Sequence, residues 1–360
     1  VVNSSCSFFF VMASATPSRR LFFDHDGNND DLVSLTLLSC LPVDRVPEVL
    51  GVTITPADCF LEPAAVSTEL ILEANRALGH PRFMATRIGV GVIEGPNPFP
   101  NVWRRLSEPL SEIVRCELLR GGLLGEVETE EKLAPAAERL PAAEAVLLEA
   151  AAECRRDGHK LVLLFTGPLT NLAAAMANLA DKALLEETVE RLYWMGGSVD
   201  VKGNVRTQHL GGRCAPVDGS AEWNSFWDPP AADVVFRSAI PITVVSLDST
   251  DVLPLTQAFL DRVRARPHGL WARLSVSIWQ PSLKFTGMKI WDVFATLVMA
   301  YPELFPVCDV PLSVVTTGPA EGQTIRDDGG KIVQVVQAVD PEQVYSLLLE
   351  IFEASQPNQE

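Results

Sequence analysis

The sequence predicts an α/β protein: an open, mostly parallel sheet flanked by helices, with a small antiparallel hairpin near the C-terminus. Three observations carry that reading. Short apolar runs alternate with amphipathic stretches from Leu21 onward. The run Lys160–Phe165 (KLVLLF) is almost unbroken in its apolar character, as strands covered on both faces are. Polar residues gather just after several of these runs, where parallel sheets carry their functional loops.

The elements follow in order. Leu21–Phe23 reads as a strand that ends in a polar loop, and Asp30–Cys40 as the next helix. Val49–Thr55 is a second strand, followed by a helix over Glu62–Leu78. After the strand Lys160–Phe165, Pro168 suits the first turn of a helix running through Ala180. Arg191–Met195 and Ile242–Leu247 are further strands. Val310–Thr317 and Lys331–Val339 are β-rich and flank a Gly/Asp-rich region, which predicts the hairpin; Asp340–Ala354 closes the chain as an amphipathic helix. With no low-complexity linker and no internal repeat, residues 21–360 form one domain. Residues 1–20 read as a disordered N-terminal extension, with Met12 as a candidate start. The apolar stretch Cys6–Ala15 has the small residues of a signal peptide behind it but no basic segment ahead of it.

Composition narrows the function classes. Hydrophobic residues make up 47% and charged residues 21%, the balance of a soluble globular protein. A formal net charge of −17 repels phosphate backbones, so nucleic acid is excluded as a partner, while a cation or a small neutral ligand is not. Seven dispersed cysteines without a Cys-x-x-Cys pair read as free thiols in a reducing, cytoplasmic setting. No apolar run reaches the ~18–20 residues that span a bilayer.

The loop Asp24–Asp31 (DHDGNNDD) holds four carboxylates in eight residues. Helix capping accounts for one or two of them; four need a neutralising cation, and hard oxygen donors suit calcium or magnesium. An EF-hand would require Gly where Asn29 stands and Glu where Leu35 stands, so that reading fails. A phosphatase of the haloacid-dehalogenase type begins with a strand and Asp-x-Asp-Gly, as Phe23–Gly27 does, with Thr166 as its later Thr. It would continue with Thr and an aliphatic residue instead of Asn28-Asn29-Asp30-Asp31, and stays as the alternative.

The same loop, taken with Thr55–Phe60 (TPADCF), Phe165–Leu172 (FTGPLTNL), Trp194–Asn204 (WMGGSVDVKGN), Ala221–Pro229 (AEWNSFWDP) and Ile290–Asp292 (IWD), resembles the nucleoside hydrolase family, block by block and in the family's order. The resemblance is greatest to the purine-specific inosine-adenosine-guanosine hydrolases of protozoan parasites. It implies an open α/β sheet, a homodimer, and hydrolysis of the N-glycosidic bond of purine ribonucleosides for purine salvage. It implies that Asp26, Asp31, the carbonyl of Thr166 and Asp292 hold Ca²⁺, and that Asp26 is the general base for the attacking water. Asn28, Asp30 and Asn224 would bind the ribose 2′- and 3′-hydroxyls, and Asn204 and Glu222 the 5′-hydroxyl. Trp103, Trp291 and Asp58 would meet the base. Trp291 stands where broader-specificity members carry a proton-donating His, which is what implies the purine preference. Asp24 has no direct role in this scheme and is expected to orient its neighbours.

Two departures stand out. Asn29 replaces an aliphatic residue of the family and is expected to loosen the loop. Arg206–Ser220, with His209 and Cys214, is longer than the family pattern and reads as a flexible lid or a disordered insert. A protein that binds nucleosides and calcium without turnover is the other alternative, opposed by the intact set of acids.

Overall fold

The structure is a computed structural model that describes residues 19–46, 48–124, 134–211, 216–266 and 269–355. The N-terminal stretch Cys6–Ala15 and Cys214 lie outside the described residues.

The strands, in chain order, are β1 (Arg19–His25), β2 (Val49–Ile54), β3 (Arg87–Val90), β4 (Lys160–Phe165), β5 (Val189–Met195), β6 (Ile242–Val245), β7 (Val307–Val314), β8 (Thr324–Arg326) and β9 (Lys331–Val336). They form one sheet in the order β3-β2-β1-β4-β5-β6-β9-β7-β8. From β3 through β6, and on to β9, neighbours are parallel; only β7 pairs antiparallel, with β9 on one side and β8 on the other. The mostly parallel architecture is the one the sequence predicts.

Side chains of a strand point alternately to its two faces, so a strand buried on both sides feeds two cores. Leu21 and Phe23 join the layer with Leu32, Leu35, Trp279, Phe294 and Phe352, while Phe22 joins the opposite layer with Val146, Leu163, Phe165 and Trp194. Burying one such side chain contributes about 1.5–3 kcal/mol. That alternation, repeated in β4, is why helices cover the sheet on both faces and why its strands read as continuous apolar runs.

Several boundaries shift from the sequence reading. β1 begins at Arg19, two residues inside the stretch assigned to the extension, because Arg19 and Arg20 pair with Lys160 and Leu161. It also runs on through Asp24 and His25, whose polar character had argued for a loop; both are buried, and Asp24 is satisfied from neighbouring elements. The single helix expected from Pro168 through Ala180 is two, Thr170–Ala175 and Leu179–Thr188, because the Asn178 side chain accepts from the Asp181 amide and starts a second helix. Leu247 leaves β6 to open the short helix Leu247–Thr250. The hairpin gains a third strand, β8, from the Gly/Asp-rich region, and β9 fuses it to the main sheet beside β6. β3 and the helices Leu110–Arg120 and Ala143–Asp157, none of them assigned from the sequence, complete the β2–β4 crossover. Among the described residues no helix is long and apolar enough to cross a membrane. The five cysteines among them (Cys40, Cys59, Cys116, Cys154 and Cys308) are unpaired.

Candidate active site

The chain runs outward from β1 to β2 and β3, then returns across the sheet to β4. The carboxyl ends of β1 and β4 therefore open into a crevice, the position where open parallel sheets bind ligands. Asp24 pairs with Phe165 across that junction, and the Thr166 amide donates to the Asp24 carbonyl at 3.0 Å. The loops after β1, β2, β4 and β5 meet there around a cavity of about 480 Å³. All twelve residues assigned from the sequence (Asp26, Asn28, Asp30, Asp31, Asp58, Trp103, Thr166, Asn204, Glu222, Asn224, Trp291 and Asp292) line it.

Each is held by identifiable local structure. The helix Asn29–Cys40 starts in a capping box: the Asn28 side chain accepts from the Asn29 amide at 2.8 Å, and the Asp31 carboxylate accepts from the Asn28 amide at 3.0 Å. The other Asp31 oxygen accepts from the Asp26 amide (3.2 Å) and the Thr166 hydroxyl (2.6 Å), which ties β1 to β4. Gly27, at φ 81°, makes the turn between them, and a Cβ there would lie 2.5 Å from the Ala64 methyl. Gly167 likewise leaves room for Asp26, whose Cβ would lie 2.7 Å from any added methyl.

Asp24 is the hidden support of this loop. Its carboxylate accepts from Thr53 Oγ1 at 2.6 Å, Thr55 Oγ1 at 3.0 Å and Asn171 Nδ2 at 2.8 Å, joining β1, β2 and the helix after β4. It does not line the cavity, so it positions its neighbours. Asn29 does not loosen the loop: its side chain bonds Ser282 and accepts from the Asp30 amide at 2.8 Å, stapling the loop to the turn Gln280–Lys284. Asp30 accepts from the Trp279 indole (3.0 Å) and from the Asp292 amide (2.7 Å), and so fixes the start of the helix Trp291–Ala300. Sequence reasoning missed Trp279, which sits in an ordinary apolar helix with no motif around it.

On the far side, Glu222 caps the helix Trp223–Trp227, accepting from the amides of Asn224, Ser225 and Gly197 at 2.9–3.1 Å. Asn224 donates to the Thr166 carbonyl at 2.9 Å and the Met195 carbonyl at 3.1 Å. Asn204 accepts from the Trp223 amide at 3.1 Å. The Asn28 side chain also donates to Asp58, carboxylate (2.9 Å) and carbonyl (2.8 Å) alike.

The electrostatics are one-sided. Among the described residues six carboxyl groups line the cavity, and no Lys or Arg does. Burial pushes the Asp30 and Glu222 carboxyls up to about 7 and Asp58 up to about 8. Asp26 and Asp292 are driven well above the carboxylate range, first by burial and then by repulsion from Asp31. Asp24, also buried, rises to about 7. Such a donor set fits a hard divalent cation, which would relieve the repulsion that burial magnifies. Among the described residues, no three His, Cys, Asp or Glu side chains converge as a ready metal cluster. Their oxygens are engaged instead: those of Asp31 by amides and a hydroxyl, and the Thr166 carbonyl by Asn224.

Aromatic side chains line the same cavity. Trp103 lies edge-on to Trp223 at 5.3 Å, and Phe99 packs on Trp223 at 4.8 Å. Trp291 is half-buried, with its indole N–H unpartnered. Phe99, Trp223, His209 and Phe285 line the cavity without having been assigned from the sequence. For Trp223 the only signal was the density of Trp and Phe around AEWN, which looks the same in a core; Phe99, His209 and Phe285 lie outside that block. Where it is described, the insertion Arg206–Ser220 is packed onto the site: Leu210 is buried, and Val217 packs against the cluster of Phe99, Trp223 and Trp227.

Carboxyl groups and aromatic rings lining one cavity, at the switch point of a parallel sheet, make a site for a neutral, hydroxyl-rich ligand that carries a flat ring. The family model for inosine-uridine preferring nucleoside hydrolases matches residues 21–346. The chain belongs to the nucleoside hydrolase family. The inosine-uridine preferring nucleoside hydrolase of Bacillus anthracis superposes with a TM-score of 0.73 at 30% identity, covering 94% of this chain and all of that one. The pyrimidine-specific ribonucleoside hydrolase RihA of Shewanella baltica is 27% identical over 321 residues, 86% of this chain and 87% of its own length. Its counterpart in Shewanella oneidensis is 31% identical over 186 residues, and there the match spans only 53% of the relative. The phosphatase alternative falls with this membership, and a cavity without Lys or Arg would not welcome a phosphate.

Proposed function

We propose that this nucleoside hydrolase cleaves the N-glycosidic bond of purine ribonucleosides (inosine, adenosine and guanosine) to the free base and ribose, with Ca²⁺ bound at Asp26, Asp31, the Thr166 carbonyl and Asp292. The observation that carries the reading is a single cavity lined both by six carboxyl groups and by the indoles of Trp103, Trp223 and Trp291. Its volume falls within the ~300–1,000 Å³ of small-molecule sites.

The chain's own residues supply most of the chemistry. Asn28, Asp30, Asn224, Asn204 and Glu222 receive the ribose hydroxyls, each already held by a cap or a neighbouring backbone group, so little orientation remains to be lost on reaction. A bound calcium would supply positive charge that favours ionised carboxylates and acidifies a nearby water. Asp26 takes the proton of the attacking water as the bond to C1′ forms. The C–N bond breaks through an oxocarbenium-like state, as in O-glycoside hydrolysis. The departing purine gains a proton, which stacking on Trp103 and Trp291 favours by raising its basicity.

The purine preference rests on Trp291 standing immediately before Asp292 and on Trp103 in the lining of the same cavity. The names of the relatives belong to those proteins: one is called pyrimidine-specific, another inosine-uridine preferring. Incubation with inosine and Ca²⁺, reading out free hypoxanthine and ribose, tests hydrolysis. Comparison of kcat/KM across inosine, adenosine, guanosine, uridine and cytidine tests specificity. A uridine value equal to that of inosine overturns the purine assignment while leaving the hydrolase reading intact.

A further inference from the structure

We propose that His209 is the proton donor to the departing base, a further catalytic residue for the hydrolysis proposed above and resting on that reading. It stands on the 3-10 turn Thr207–Leu210, inside the insertion that departs from the family pattern. Leu210 anchors the turn against the aromatic cluster, so the imidazole is a fixed part of the cavity wall.

Two observations point the ring at the base. It meets Trp103 edge-on at 4.8 Å and lies tilted against Trp223 at 6.3 Å, two of the indoles that line the cavity. Among the described residues its Nδ1 is buried without a hydrogen-bond partner, and Nε2 meets Gln208 at 3.5 Å. An orphaned buried polar atom costs about 1–3 kcal/mol, and a ligand atom is the natural way to recover it. Burial and the neighbouring Arg206 hold the His209 imidazolium below its ordinary range, which makes it the stronger acid when protonated.

The step balances. The C1′–N bond breaks with its electron pair passing to the base, and water forms the C1′–O bond and gives a proton to Asp26. The base takes one proton from the His209 imidazolium, and exchange with solvent resets both groups. Asp58 is the rival donor, since its Oδ1 is also buried and unpartnered. It is tethered, however, to Asn28 on the ribose-side loop, whereas His209 sits against the aromatic wall.

The test compares inosine with nitrophenyl riboside, whose phenolate leaves without a proton. His209→Gln should lower kcat on inosine by about 10²-fold, the lower end of what general acid–base catalysis contributes, with kcat on the nitrophenyl substrate kept within about twofold. His209→Ala should show the same selective loss and regain part of it when imidazole is added. His209→Asn, with its melting temperature recorded, provides a second variant should the Gln protein fold poorly. Equal losses on both substrates, a change confined to KM, or no loss overturns the donor assignment. A selective loss found only in Asp58→Asn moves the role to Asp58. Wild-type protein that releases no base from any nucleoside overturns the hydrolase reading itself; an inosine-active wild type with unselective His209 variants overturns the donor alone.

Discussion

Asp24→Ala tests whether the acidic loop is held from behind, by a carboxylate that never touches ligand. The substitution removes three hydrogen bonds, from Thr53, Thr55 and Asn171, in a site with no solvent access. Asn171 keeps its contact with Thr55 at 2.8 Å, but the Thr53 hydroxyl loses its partner. At about 1 kcal/mol per net bond and 1–3 kcal/mol for each buried group left unpaired, the loss is about 4 kcal/mol. With about 2.1 cal/mol/K of unfolding entropy per residue, that lowers the melting temperature of a chain this long by about 5 °C. The same contacts set the height of Asp26 and the Thr166 amide, so kcat should fall by about 10–100-fold, the cost of an ångström-scale misplacement. Calorimetry and inosine turnover read out the two effects. Asp24→Asn sharpens the test through its pH dependence. In the folded protein without metal the Asp24 carboxyl is raised to about 7, above its unfolded value near 3.8, so the folded state holds the extra proton between those pH values. The stabilisation it provides is full at acid pH and fades as pH rises toward 7. The asparagine, which does not titrate, should therefore cost more stability at pH 5 than at pH 8. An Asp24→Ala protein with unchanged melting temperature and kcat, or an Asn variant whose cost grows with pH, would refute the reasoning.

Three further expectations follow from the site. Chelation should abolish turnover, and added Ca²⁺ should restore it. The metal-free protein should lose stability as pH rises from about 4 toward 8, since Asp30, Glu222 and Asp58 all bind protons more tightly folded than unfolded; full turnover by metal-free protein, checked by elemental analysis, rules the metal requirement out. Asp26→Asn should cost more than the ~10²–10⁴-fold typical of a lost general base while inosine still binds, because it removes an anionic ligand as well; a tenth of wild-type rate remaining would place the base elsewhere. Trp291→Ala should lower kcat on inosine beyond what a stacking contact of roughly 1–3 kcal/mol explains in binding, and spare kcat on nitrophenyl riboside; equal proportional losses would mean that the indole serves the metal site or the fold.

The sequence alone determined the α/β class, because β1 and β4 are buried on both faces and such strands announce themselves as unbroken apolar runs. It also determined the membership of the cavity. Asp26, Asp31, Thr166, Asn204, Glu222, Asn224 and Asp292 each follow a strand or begin a helix, and a parallel sheet delivers all its carboxyl-end loops to one place whatever the remaining packing. Contacts across long sequence separations were decided by the tertiary structure. Asp24 looked like one more of the loop's four acids until β2 and the helix after β4 supplied Thr53, Thr55 and Asn171 as its partners. Asn29 looked like a flaw until the turn at Ser282 came against it, and Trp279 carried no signal because its bond to Asp30 joins residues 249 positions apart. His209 shows the same limit. In an insertion rich in glycine it reads as an exposed loop residue, and only the packing of Leu210 among distant Phe and Trp side chains turns its ring into the cavity. Local patterns carry the period of a strand and the chemistry of a loop; which distant groups satisfy a buried atom is settled only when the chain closes on itself.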